Sequence, residues 1–323
     1  PSKSAITIPM TTFTKLQRFN AAVKGDSVDH LPISAWVHFA SEHLSAHETA
    51  RLHIAFFKAY DWDYVKAMND YRFPLPAGVD VIRTAEDLRR FAPLGLTSHN
   101  FAEQLACLRQ IRAGVGPDVA ILETLFDPLQ TLVRASGADV RELIFANPEA
   151  GHAALEAVTH SLIGYITALK LAGVNGLFYS INGAVEPGKG GLTDAQFAEF
   201  VAPYDQRILR AADGLTRVAH VHGFDLRFDR CADYPVEVFS WSHLKSKPSL
   251  AEARKLTSAA LMGGMDETAI AKQSVDDLRR DIETSVAEAG ASKLILGPGC
   301  TLPPDTPLRL MKAAKEISAT FKV

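Results

Sequence analysis

Two imidazoles stand two positions apart in the run Arg217-Val218-Ala219-His220-Val221-His222-Gly223. In a strand, residues i and i+2 project to the same side, so His220 and His222 point together at one metal ion or one substrate group. A third soft donor stands far downstream, Cys300 in Leu296-Gly297-Pro298-Gly299-Cys300-Thr301. Two imidazoles and a thiolate suit zinc and leave a fourth position open. The competing reading is that the histidines are packed and hydrogen-bonded to neighbours, with the cysteine a small buried apolar residue.

Such donors need a scaffold that brings distant segments to one face. Eight short apolar runs recur along the chain, at 31–37, 63–68, 119–126, 175–180, 217–223, 236–241, 259–264 and 293–297. Helical spacing fills the intervals at 16–24, 47–60, 85–91, 101–113, 148–171, 193–212, 226–232, 250–256, 275–289 and 307–321. Gly25 suits a helix end, and Thr193 suits a helix start. Parallel strands covered on both faces read as apolar runs of this kind. The spacing therefore predicts an α/β fold, a (β/α)8 TIM barrel with an N-terminal helical extension, over 13–323. An open doubly wound sheet is the alternative, but no G-x-G-x-x-G follows the first run. Residues 1–12 carry no period and read as a leader or a disordered N-terminus.

A barrel gathers its active residues at the C-terminal strand ends. Those ends supply His38; Asn69, Asp70 and Arg72; Phe126 and Asp127; Tyr179, Ser180 and Asn182; His220 and His222; Trp241 and His243; Asp266; and Cys300. Asp70 suits acid–base work or a cationic substrate group, with a rim salt bridge to Arg72 as its structural alternative. Arg72 has the fork geometry to clamp a carboxylate. Tyr179 can donate a hydrogen bond, although many such tyrosines only pack. Asp266 is placed to cap the helix after it. The glycine-rich loop 183–191 falls where a barrel sets a loop over its site.

Composition narrows the function classes. The 323 residues are 47% hydrophobic and 22% charged, with a formal net charge of −3. That balance offers no general attraction to nucleic acid or to an anionic membrane surface. No apolar run reaches the ~18 residues a membrane span needs. Three scattered cysteines make no disulfide framework and fit a reducing cytoplasm. The expected partner is a small-molecule substrate, and the sequence is compatible with a homodimer.

Several stretches resemble the uroporphyrinogen decarboxylase superfamily, which includes cobalamin-dependent methyltransferase partners. The resemblance rests on Arg18-Phe19-Asn20-Ala21-Ala22-Val23-Lys24-Gly25 with Val28-Asp29-His30-Leu31-Pro32, on 172–180, and on Phe197-Ala198-Glu199-Phe200-Val201-Ala202-Pro203-Tyr204. Gly263-Gly264-Met265-Asp266 is similar to the family's Gly-Asn-x-Asp turn. The most specific piece is Gly297-Pro298-Gly299-Cys300 with Pro303-Pro304-Asp305-Thr306-Pro307. The resemblance implies a (β/α)8 barrel.

Two branches of that superfamily imply different chemistry. Porphyrinogen decarboxylases carry an early arginine-rich segment for substrate carboxylates, and here the matching place, 35–40, has no arginine. Asn69-Asp70 and Ser180 match that branch; its tyrosine after the third strand is replaced near Arg134, and its turn histidine by Pro298. The methyltransferase branch implies zinc on His-x-Cys of the fifth strand and on a Cys after the eighth. This sequence keeps His220 and Cys300 and sets His222 where the first Cys stands. Imidazole in place of thiolate makes a bound zinc more positive, which further lowers the pKa of a bound thiol and blunts its nucleophilicity. No Asp-x-His-x-x-Gly occurs, so a corrinoid would come on a separate protein.

The expected function is a zinc-dependent methyltransferase moving a methyl group between a corrinoid or methylated small molecule and a thiol. The alternative is a metal-independent decarboxylase of a porphyrinogen-like or other small carboxylated substrate using Asp70. The expected metal ligands are His220, His222 and Cys300, and the catalytic pair is Asp70 and Tyr179. Substrate contacts are expected from His38, Arg72, Ser180, Asn182, Trp241 and His243.

Overall fold

In the computed structural model, which describes residues 13–322, seven of the apolar runs are strands. They are β1 (Tyr64–Ala67), β2 (Ala120–Phe126), β3 (Gly176–Ile181), β4 (Thr216–Val221), β5 (Val238–Ser240), β6 (Ala260–Met265) and β7 (Leu294–Pro298). All neighbours pair in parallel, and the strand order follows the chain order from β1 to β7. Each parallel step needs a crossover, and helices supply nearly all of them. α1 (Lys15–Lys24) and α2 (Ala46–Tyr60) precede β1, and α3 (Ala85–Arg89) and α4 (His99–Val115) follow it. α5 (Pro128–Ser136), α6 (Arg141–Ala146) and α7 (Pro148–Leu171) lead to β3. α8 (Asp194–Phe200) and α9 (Ala202–Ala211) lead to β4, and α10 (Leu250–Ala253) to β6. α11 (Val275–Ala289) lies between β6 and β7, and α12 (Leu308–Ser318) follows β7. The architecture is α/β and TIM-barrel-like. The expected leader at 1–12 lies outside the described residues.

The expected first strand, 31–37, is a correction: among the described residues seven strands form, not eight. Ile33 makes a single isolated parallel bridge to Leu296. Pro32 has no N–H to give a ladder, and only its carbonyl is used, by the Leu296 N–H at 2.8 Å. On the other side the Asp63 N–H donates to the Ile33 carbonyl at 2.9 Å. The segment thus touches both edge strands while making too few bonds to be one.

Two further differences have local causes. The Asp127-Pro128 pair opens α5, with the Asp127 carboxylate accepting from the Gln130 N–H and proline in the first turn. The expected helix 193–212 is two helices, because Val201 leaves helical geometry ahead of Pro203. Thr193 caps the first of them through a capping box with Gln196.

The strands bury two cores. Outward-facing Val65, Ile121, Leu177, Ala219 and Phe239 pack under the helices. Inward-facing Tyr64, Leu122, Phe178, Val218, Val238, Met262 and Ile295 form a second core with Phe19 and Ala22 of α1. α1 therefore plugs the N-terminal end of the sheet, and burial of Phe19 contributes about 1.5–3 kcal/mol. Arg18 on the same helix bonds both oxygens of Asp29 and reaches Asp63 at 2.9 Å. The motif carried by 18–32 is thus an anchor at the closed end, and the open end holds the polar residues.

Candidate active site and metal centre

Strand parity builds the site. Ser180 pairs with His220 in the β3–β4 register and His220 with Ser240 in β4–β5, so all three face one side. His222 follows two residues on. Cys300 lies just beyond β7, after Gly299. A side chain at Gly299 would stand 2.7 Å from the Ser242 Cα, so only glycine lets the chain pass there. The ligand atoms of His220, His222 and Cys300 all lie within 4.8 Å of one another. Cys300 Sγ is 3.6 Å from His222 Nδ1.

These donors fit zinc. An ion bonded at about 2.0–2.3 Å to tetrahedrally placed donors holds them roughly 3.3–3.8 Å apart, and the Cys300–His222 separation falls in that range. His220 Nδ1 lies 3.3 Å from Ser240 Oγ, which leaves Nε2 for a metal and fixes the ring. Burial, joined by neighbouring positive charge, pushes both imidazoles below their ordinary pKa. They are therefore neutral, as ligands must be. Burial raises the Cys300 thiol, so a metal binding there displaces a proton.

A cavity of about 60 Å³ adjoins the donors, walled by Trp36, His38, Lys66, Phe178, Ser180 and Thr301 among others. Lys66 is its unexpected member. The ammonium sits 4.6 Å from the Phe178 ring centroid and 2.8 Å from Met68 Sδ, with no ion-pair partner among the described residues. Burial lowers its pKa to about 7, while Cys300, Glu123 and Asp70 pull the other way. The sequence carried a signal for it, a lysine inside the apolar run Tyr64-Val65-Lys66-Ala67-Met68, two residues from each inward neighbour.

Asp70 lies at the rim of a neighbouring cleft of about 450 Å³, whose walls include His38, Glu42, Arg72 and Arg134. The expected rim pair with Arg72 is not formed. Asp70 Oδ1 meets His38 Nδ1 at 2.7 Å, and Oδ2 accepts from the Ser41 N–H at 3.1 Å and hydroxyl at 2.9 Å. Burial alone would raise this carboxyl, but those bonds outweigh it and hold it well below the usual carboxylate range. Arg72 is exposed, with one donor 3.4 Å from the Arg134 carbonyl.

The remaining expected residues divide by face. Ser180 stands in the cavity wall, and its hydroxyl donates to Asn182 Oδ1 at 3.0 Å. The Asn182 N–H donates to Asp127 Oδ2, which ties that turn to the α5 cap. Tyr179 points the opposite way, as the neighbour of an inward residue must. Its hydroxyl donates to Asp205 Oδ1 of α9 at 2.6 Å, under the helix layer. The expectation that Tyr179 and Asp70 share a cavity is therefore corrected. Trp241 is also turned outward, its indole N–H donating to the Pro248 carbonyl. His243 is buried between Gly263 and Ser285 of α11, again away from the mouth. Asp266 accepts from the Thr268 and Ala269 N–H groups and pairs with Lys245, so it caps a turn. A larger cleft, about 660 Å³, opens at the N-terminal strand ends among Lys24, Glu237 and Lys293. Among the described residues no histidine or cysteine lines it.

The sequence pattern of the family described as uroporphyrinogen decarboxylase (URO-D) matches residues 70–320. None of the curated proteins matches the sequence. Among solved structures, a methyltransferase from Methanosarcina mazei is similar, with a TM-score of 0.79 at 19% identity over 95% of this chain and 99% of that one. A B12-independent methionine synthase from Shewanella sp. W3-18-1, in complex with selenomethionine, has a TM-score of 0.58 at 14% identity over 90% and 94% of the two chains. At these identities the likeness establishes the fold.

Proposed function

The chain belongs to the uroporphyrinogen decarboxylase (URO-D) family, and from that premise we propose a zinc-dependent methyltransferase that moves a methyl group between a corrinoid or methylated small molecule and a thiol. The observation that carries this reading is the convergence of His220, His222 and Cys300 at the mouth of the sheet. The fold also houses a methyltransferase and a methionine synthase, so it accommodates such chemistry. Zinc held by these residues would keep a bound thiol deprotonated at neutral pH.

The chain's own residues do the rest. Ser240 holds the His220 ring in place. Lys66 sets a positive charge against the thiol side of the cavity, which favours an anionic sulfur there. Trp36 and Phe178 meet edge to face at 5.3 Å and exclude water from that wall. Asp70 holds the His38 ring where the two cavities meet. The reading takes 13–323 as one barrel-like unit acting in the cytoplasm on a small molecule, with any corrinoid supplied by a separate protein.

The second reading, a metal-independent decarboxylase centred on Asp70, draws support from Arg72 and Arg134 in the Asp70 cleft. Against it, both Asp70 oxygens are already engaged. Metal analysis of protein grown with zinc, together with turnover of Asp70→Asn, decides between them. The methyl-transfer reading expects about one zinc per chain and partial activity in Asp70→Asn. Metal-free protein that stays active with chelator, and an inactive Asp70→Asn, would leave the decarboxylase.

A further inference from the structure

Arg134 of α5 is the strongest unexplained group in the molecule. Its guanidinium carbon lies 4.0 Å from the Phe126 ring centroid, stacked on the last residue of β2. Among the described residues the guanidinium makes no hydrogen bond and no ion pair; only its backbone carbonyl is used, by Arg72. A half-buried cation with its donors idle is costly unless something supplies the opposite charge. The acids of the cleft favour its charge only through space and leave its donors unbonded. Asp70 has both oxygens committed to His38 and Ser41, and Glu42, although in the same wall, makes no bond to it.

We infer that Arg134 anchors a carboxylate group of the substrate, and that the cleft of about 450 Å³ beside it receives the acid-bearing end of that molecule. Contact with the Phe126 ring restrains the guanidinium beside the cleft, and its planar fork matches a carboxylate with two parallel bonds. Arg72 adds a second, exposed positive charge at the entrance. His38 belongs to the walls of both the cleft and the cavity beside Cys300. A ligand held by its acid group at Arg134 would therefore present its other end past His38 to the metal donors. The inference deepens the methyl-transfer reading by naming a substrate class, and it rests on that reading only for which end of the ligand reacts.

The test is calorimetric titration of the full chain with glutarate, with inorganic phosphate and with propylamine, at constant ionic strength. Wild type should bind glutarate saturably and propylamine not at all. Arg134→Gln should weaken glutarate about tenfold or more, with zinc content unchanged and the melting temperature not lowered. Arg134→Lys should recover only part of the loss, because an ammonium cannot form the fork. Glu42→Gln, which removes a competing negative charge, should tighten binding. Glutarate binding equal in wild type and Arg134→Gln, tighter binding of phosphate than of glutarate, or weaker binding by Glu42→Gln would overturn the inference. Zinc content separates the two claims. Zinc-free protein that still needs Arg134 for glutarate sinks methyl transfer alone, and zinc-loaded protein indifferent to Arg134 sinks the anchor alone.

Discussion

Tyr179 and Ser180 are adjacent in β3 and end in different environments. Ser180 faces the mouth with His220, while Tyr179 faces the helices and bonds Asp205, which also accepts from Tyr234 at 3.2 Å. Glu123 on the outer face of β2 is similar to Asp205. It accepts from Asn69 at 2.9 Å, Gln104 at 2.8 Å and Tyr165 at 2.9 Å. Both faces therefore bury titratable groups with displaced pKa values, so displacement alone does not mark a site. Saturation does. The outer carboxylates have their partners inside the fold, whereas Lys66 on the inner face and Arg134 beside it have donors left over. Groups left with free capacity beside a cavity are those a ligand can complete.

The sharpest way to break this comparison is at Cys300. Cys300→Ser exchanges a thiolate for a neutral hydroxyl, so zinc affinity should fall by about an order of magnitude or more, and turnover with it. Chelation of wild type should do the same, with zinc restoring activity. Competition with a chromogenic chelator measures both, and unchanged affinity would remove Cys300 from the ligand set.

Glu123 tests the outer face through pH. Burial, against three hydrogen bonds, pushes its carboxyl from an ordinary 4.5 up to about 8. The folded chain therefore keeps this proton where the unfolded chain has lost it. Stability from the group is full below about pH 4.5, declines as pH rises, and is gone above about pH 8. Glu123→Gln has no proton to lose. Its unfolding free energy should gain on wild type across that window, by roughly 1.4 kcal/mol per pH unit at most, with the melting temperature rising accordingly. A constant gap would show an ionised, structural Glu123.

Tyr179→Phe gives a smaller effect. Removing one partner of buried Asp205 should cost about 1–3 kcal/mol in denaturant unfolding. Zinc content and KM should not move. Loss of turnover without loss of stability would return Tyr179 to the mouth and undo the division by face.

Much of this was legible in the residues alone. The apolar runs announced a parallel sheet, because strands buried on both faces have no polar side to show. His220 and His222 declared a shared face through their spacing, whereas the close passage at Gly299 appeared only in the fold. Parity could also have separated Tyr179 from Ser180, since residues one apart cannot share a face with His220 two along from His222. The rest required the fold. Whether Cys300 meets two histidines some eighty residues earlier depends on how the strands curl, and local pattern carries no information on that. Pro32 and the bonds around Ile33 decided that the first run would be a bridge. Lys66 and Arg134 could be seen to lack partners only once every neighbour had been placed. A side chain's capacity for chemistry is written in its type; whether that capacity is already used is a property of the residues that tertiary packing brings beside it.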